Sequence, residues 1–240
     1  MSLLARLLRS IGRKRTPPPT LHEIFQRNHR GDIHRWHHYF EVYERFLSPL
    51  RERPLTILEI GVNRGGSLRM WRDYFGPSAR IFGMDVNPAC AAFETDGVRI
   101  FIGDQADRDF LRKVKAEIGD LDVVIDDGGH KMLQQINSFE ELYPATRQLY
   151  LVEDTHSSYW NDFLDMGSMT FIEYAKQKVD ALHEWHRHRG SFELHALPPS
   201  GRGRELPVSE FCATTLGVHF YDSMVVFEKS DNPPRWHETR

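Results

Sequence analysis

The chain has 240 residues, 40% hydrophobic and 12% aromatic, with a formal charge of −3. That is enough apolar side chain for a full-sized core, and the charge balance argues against nucleic acid as a partner. Two widely separated cysteines, Cys90 and Cys212, argue against a disulfide scaffold or thiolate zinc site and fit a reducing cytoplasm, and no apolar run is long enough to span a bilayer.

The first fifteen residues, "MSLLARLLRSIGRKR", set Leu3, Leu4, Leu7, Leu8 and Ile11 at helical spacing among five basic residues. Such an arm reads either as a basic amphipathic helix for peripheral membrane or subunit contact, or as a frayed terminus. "TPPPT" then forms a stiff spacer. Residues 1–20 are thus read as an arm and 21–240 as a single domain.

From Leu21 to Leu50 the pattern is helical and rich in aromatics and histidines. Five short, β-branched, nearly all-apolar segments follow: "LTILEIGV", "ARIFGMDV", "VRIFIGD", "LDVVIDDG" and "QLYLVED". Helical patterns separate them. This alternation predicts an α/β fold with a doubly wound, mostly parallel sheet covered on both faces. After Asp154 the alternation stops. A helical and loop-like insertion spans about 155–209, and "ATTLGVHFY" and "MVVFEKS" then read as an antiparallel hairpin that closes the sheet. That ending is more like a class I methyltransferase, Rossmann-like with seven strands, than a dehydrogenase.

The first strand ends in "EIGVNRGGS". The dinucleotide spacing G-x-G-x-x-G is missing; Glu59, Gly61 and Gly65 give E-x-G-x-x-x-G instead. Gly61 permits a turn and close approach of a ligand, and Gly65 stands where a helix N-terminus favours an anion. Asn63 and Ser67, in the same turn, are counted with the cofactor contacts. Asp85 ends the second strand, where an acid can accept both ribose hydroxyls. Asp104 and Gln105 end the third, within reach of an adenine. Together these polar strand ends predict an adenosine cofactor with a small charged tail, which S-adenosylmethionine fits.

"IDDGGH" ends the fourth strand and "VEDTH" the fifth. If these strands are neighbours, Asp127, Glu153 and Asp154 converge at about 5 Å, the spacing of strands. Carboxylates that close call for a cation, and all-oxygen ligands favour Mg²⁺. Asp126 alternates away from Asp127; it is read as a structural partner on the cofactor side. His130, brought round by two glycines, is the candidate general base. His156, Tyr159 and Trp160 are candidates for acceptor contact, and Tyr39 for reaching over the cofactor.

In that order, "EIGVNRGGSLRMWRDYF", "IDDGGH", "SFEELYP" and "LYLVEDTHSSYW" resemble the metal-dependent sugar O-methyltransferases typified by the macrocin and mycinamicin enzymes. The resemblance implies S-adenosylmethionine as donor and Mg²⁺ on Asp127, Glu153 and Asp154. It also implies His130 as base, a saccharide or glycosylated small molecule as acceptor, and a homo-oligomer. The chain lacks the long additional N-terminal domain of the larger members. Three other readings stay open: methyl transfer to a non-sugar diol, a nicotinamide-dependent oxidoreductase, and a sugar-binding protein without catalysis.

Overall fold

The computed structural model describes residues 17–28, 32–187, 190–201, 206–231 and 233–238. The expected basic helix at 1–15 lies outside them. Seven strands form one sheet: β1 (Thr56–Ile60), β2 (Arg80–Asp85), β3 (Val98–Ile102), β4 (Leu121–Asp126), β5 (Thr146–Val152), β6 (Thr215–Tyr221) and β7 (Met224–Lys229). Their order is β3-β2-β1-β4-β5-β7-β6. The first five run parallel; β7 is antiparallel to both β5 and β6. The hairpin turns at Asp222–Ser223, with Tyr221 paired to Met224 and Ser223 at φ 63°.

Among the described residues eight helices surround the sheet: α1 (Leu21–Arg27), α2 (Tyr39–Leu47), α3 (Gly66–Phe75), α4 (Arg108–Ile118), α5 (Met132–Leu142), α6 (Phe171–Ala181), α7 (Ser191–His195) and α8 (Glu210–Thr214). Local chemistry sets their ends. Thr20 and Glu23 form a reciprocal capping box on α1, and the Asp107 side chain accepts from the Asp109 and Phe110 amides at the start of α4. Helices α1 to α3 seal one face of the sheet around Trp71, Tyr43 and Ile57; α4 to α6 seal the other around Phe139, Tyr150 and Leu111. The central strands β1 and β4 are buried on both sides, which accounts for their nearly unbroken apolar texture.

The helical stretch expected from Leu21 to Leu50 is interrupted. Residues 32–36 carry no helix, and α2 begins only at Tyr39. The segment between α1 and α2 runs instead along the carboxyl edge of the sheet, where Asp32, Ile33, His34 and Arg35 line the main cleft. Among the described residues no helix is long and apolar enough to cross a membrane.

Candidate active site

Strand order reverses between β1 and β4, and the main cleft, about 360 Å³, opens beyond their carboxyl ends. Its walls include Gly61, Asn63, Ser67, Asp85, Asp104, Gln105, Asp127, His130 and Asp154. Three residues at this edge, Asn63 (φ 49°), His130 (φ 57°) and Asp154 (φ 51°), hold the left-handed backbone that non-glycine residues rarely adopt. Such strain persists only where packing enforces it, and here it concentrates on the cleft.

Pairing of β4 with β5 brings the two acidic strand ends together as the sequence predicts: Asp126 is level with Val152, and the Glu153 amide donates to the Asp126 carbonyl at 2.8 Å. One ligand atom each from Asp127, His130 and Asp154 fall within 4.8 Å of one another. His130 Nε2 lies 3.5 Å from Asp154 Oδ2 and 3.9 Å from Asp127 Oδ1. All three side chains are about one-fifth exposed.

Behind this trio is a buried layer that sequence reading missed. Tyr39 and Tyr43 are one helical turn apart on α2 and point the same way. The Tyr39 hydroxyl lies 2.6 Å from Asp154 Oδ1 and 3.0 Å from the Ser223 carbonyl, and the Tyr43 hydroxyl donates to Glu153 Oε1. Each therefore holds the rear oxygen of a carboxylate and aims the other oxygen forward. Arg35, with its side chain 5% exposed, reaches in from the 32–36 segment. It donates to Glu59 Oε1 at 3.0 Å and to Asp127 Oδ2, and its Nε is 3.5 Å from Glu153 Oε2. The signal available in the sequence was indirect: so many buried acids require a cation from the chain itself, and "IHRWHH" contains one.

Burial dominates the electrostatics here. It pushes the Glu59 carboxyl up to about 7, against the opposing pull of Arg35, Ser67 and Trp71. Burial likewise raises Asp127 and, more strongly, Glu153, while Arg35 pulls both back.

The expected site residues take different places in the structure. Glu59 is fully buried and accepts from Ser67 Oγ at 2.6 Å and Trp71 Nε1 at 2.9 Å; it fixes α3 and Arg35 from beneath and does not line the cleft. Gly65 starts α3 with φ 68°, its α-carbon face covered by Phe93. Asp126 is fully buried, accepting from Gln105 Nε2 at 2.7 Å and Ser138 Oγ at 2.8 Å. Tyr39 is buried under Asp154 and does not reach over the cleft. Glu153, expected with the metal carboxylates, is 1% exposed and stands apart from the Asp127–His130–Asp154 trio, its oxygens directed at Tyr43 and Arg35. Of the remainder, Asp85 clamps the glycine turn through the Val62 and Asn63 amides, both at 2.9 Å. Gln105 lines the cleft, and its Oε1 accepts from the Gly129 amide at 3.0 Å.

The acceptor candidates form a ring ladder outside the cleft. His34 lines the cleft and meets Trp36 at 6.2 Å; Trp36 meets His156 at 5.9 Å, and His156 meets Trp160 at 4.4 Å. Trp36 and Trp160 are about half exposed, and Tyr159 is more exposed still. Ser157 Oγ donates to the His130 carbonyl at 2.8 Å and ties this ladder to the trio.

Five parallel strands, a closing antiparallel hairpin and a cleft at the switch point define a class I methyltransferase fold. No family model matches the chain. Two Streptomyces olivaceus enzymes, the tetracenomycin rhamnosyl 3'-O- and 2'-O-methyltransferases, are each 34% identical to it over 82% and 85% of its length. Mycinamicin VI 2''-O-methyltransferase of Micromonospora griseorubida is 30% identical over 91%. The chain covers 50%, 53% and 55% of these proteins, so it spans about half the length of the curated relatives it matches. Among solved structures, the MycE methyltransferase from the mycinamycin pathway, in complex with Mg, SAH and mycinamycin VI, superposes with a TM-score of 0.74 at 28% identity. That match covers 92% of this chain and 56% of the other. Over most of its length the chain is thus similar to sugar O-methyltransferases of the macrocin and mycinamicin type.

Proposed function

We propose that the chain transfers a methyl group from S-adenosylmethionine to a hydroxyl of a sugar, free or attached to a small natural product, with a divalent cation, Mg²⁺, in the site. The observation that carries this reading is the continuity of one cleft from Asp85 and Asp104, where an adenosine fits, to the Asp127–His130–Asp154 trio. The relatives are named for rhamnosyl-tetracenomycin, mycinamicin and demethylmacrocin, which supports a glycosylated acceptor. Cys90 and Cys212, the two cysteines of the sequence, lie far apart along it and support a reducing, cytoplasmic setting.

The residues present fit both groups. For the donor, Gly61, Asn63, Asp85, Asp104 and Gln105 line one wall of the cleft, and Gly61 lets the end of β1 pack directly on the Asp127 backbone, where a Cβ would meet the Asp127 carbonyl carbon at 2.7 Å and Gly128 Cα at 3.0 Å. For the cation, Glu59, Asp127 and Glu153 face a single guanidinium and Asp154 lies beside them, an excess of acid that a divalent ion balances. His130 Nδ1 is moreover buried without a hydrogen-bond partner, so the polar inventory of the site is incomplete.

Asp127 and Asp154 would hold the ion, with Glu153 beside them once its forward oxygen is released from Arg35. The sulfonium donor supplies an electrophilic methyl, and the ion supplies orientation and acidification of the receiving hydroxyl. His130 takes the hydroxyl proton at Nε2, the nitrogen that faces both aspartates. Asp85 and Asp104 fix the adenosine end, and Tyr39 keeps Asp154 aimed. The Trp36–His156–Trp160 ladder offers its faces to the apolar side of a sugar ring, just outside the reacting centre.

A mass-spectrometric screen over rhamnosides, other glycosides and free sugars, with Mg²⁺ or with chelator, tests the reading. A methylated product that disappears with chelator is expected. Transfer indifferent to chelator, or none with any saccharide while a catechol is methylated, would overturn it.

A further inference from the structure

The cation that holds the acidic cluster together belongs to the protein. Arg35 Nη1 donates to Asp127 Oδ2 and to the His34 carbonyl at 2.9 Å. Nη2 reaches Glu59 Oε1 at 3.0 Å. Its Nε, 3.5 Å from Glu153 Oε2, is buried with no hydrogen-bond partner, so the fit on that side is loose. The guanidinium thus uses oxygens of Asp127 and Glu153, two of the three carboxylates assigned to the divalent ion. The third, Asp154, has its rear oxygen on Tyr39 and its forward oxygen toward His130.

An oxygen in a charge-assisted bond to a guanidinium is a poor ligand for a hard cation that demands a compact octahedral shell. Both positive groups cannot use the Asp127 and Glu153 oxygens in full. The two differ in tether. The metal comes from solution, whereas Arg35 sits on the non-helical 32–36 segment that also lines the cofactor cleft. A long, flexible side chain on such a segment can leave the carboxylates for the cleft by rotamer change alone.

We propose that Arg35 is an internal counter-ion that competes with the divalent cation: it bridges Asp127, Glu153 and Glu59 in the metal-free protein and withdraws when the ion binds. This rests on the divalent-cation reading above. Arg35 is a positioning residue in this scheme, setting metal affinity through Asp127 and Glu153 without touching the acceptor. It keeps the buried acids compensated between turnovers and makes the site reject weakly bound monovalent ions, because an incoming cation must outbid a guanidinium already in place.

The test is a Mn²⁺ titration of the full chain, followed by electron paramagnetic resonance of free Mn²⁺, in wild type and Arg35→Met. Arg35→Met is expected to bind Mn²⁺ at least 10-fold tighter; equal or weaker binding overturns the competition. Arg35→Lys retains the charge but lacks the fork that spans Asp127 and Glu59, and is expected to fall between the two. Lysine binding Mn²⁺ as tightly as Arg35→Met would show that a positive charge at this position does not compete with the ion and would overturn the proposal. A crystal structure of the wild type soaked with Mn²⁺ is the second measurement, needed if Arg35→Met does not fold without metal. It is expected to show the guanidinium out of hydrogen-bond range of Asp127 and Glu153; Arg35 unmoved beside a bound ion overturns the proposal. Absence of Mn²⁺ binding in every variant would instead remove the divalent-cation reading beneath it.

Discussion

Gly61 carries a prediction whose size follows from geometry. It is the residue after β1, with φ 92°, and its α-carbon abuts the backbone of Asp127 at the end of β4. Gly61→Ala therefore meets two separate penalties. The first is the backbone conformation, about 1–2 kcal/mol for a residue with a Cβ. The second is collision. The new carbon falls inside the van der Waals radius of the Asp127 carbonyl oxygen, 2.7 Å from its carbon and 3.0 Å from Gly128 Cα. Because the obstacle is backbone held by the β1–β4 ladder, it cannot swing aside, and overpacking of this kind costs about 1–3 kcal/mol. Gly119 separates the two effects. Its φ is 83°, yet a Cβ there meets nothing within 4 Å. Gly119→Ala should therefore lose only about 1–2 kcal/mol, partly offset by a stiffer unfolded chain. Gly61→Ala should lose about 2–5 kcal/mol. It should also abolish binding of S-adenosylhomocysteine by calorimetry, because the cleft floor and Asp127 must shift by roughly 1 Å, enough to cost about 100-fold in catalysis. Urea titrations of both variants in chelator provide the comparison. Equal destabilisation of the two would refute the claim that β1 and β4 leave no room there.

Three further outcomes are expected. His130→Ala should reduce the methyl-transfer rate by about 10²–10⁴-fold while leaving cofactor binding within a factor of two or so; an unchanged turnover would remove His130 as proton acceptor. Glu59 titrates near 7 in the folded protein against an ordinary 4.5, so the folded state holds a proton that the unfolded chain has lost. Metal-free stability should consequently fall as pH rises from 4.5 to 7, by up to about 1.4 kcal/mol per unit for each such proton. Glu59→Gln should flatten that slope in urea titrations run across the window, and a slope as steep as wild type would show that Glu59 is not among the groups responsible. Trp36→Ala, at a half-exposed position, should leave stability within about 0.5 kcal/mol and raise the acceptor KM roughly 10-fold, the scale of one aromatic contact, with little change in kcat. A loss confined to kcat would contradict the proposed sugar platform.

Local pattern carried much of this protein. The apolar strands, the helices between them, the closing hairpin and the polar residues at each strand end were all legible, because a buried parallel strand must be apolar throughout and its carboxyl edge is where polar side chains are tolerated. Period-two alternation also separated Asp126 from Asp127. Asp126 and Glu59 mark the limit of such pattern reading. A carboxylate beside a glycine turn has the same one-dimensional appearance whether it faces a ligand or, like Asp126 on Gln105 and Ser138, is spent on buried hydrogen bonds.

The sequence by itself determined which residues end strands and which faces they occupy, since those follow from spacing along a single chain. Only the tertiary structure decided that β4 lies between β1 and β5, that Tyr39 and Tyr43 hold the rear oxygens of Asp154 and Glu153, and that Arg35 enters their midst from 92 residues before Asp127. Those are contacts between segments remote in sequence, and the charge balance of a buried site is a sum over everything that converges there.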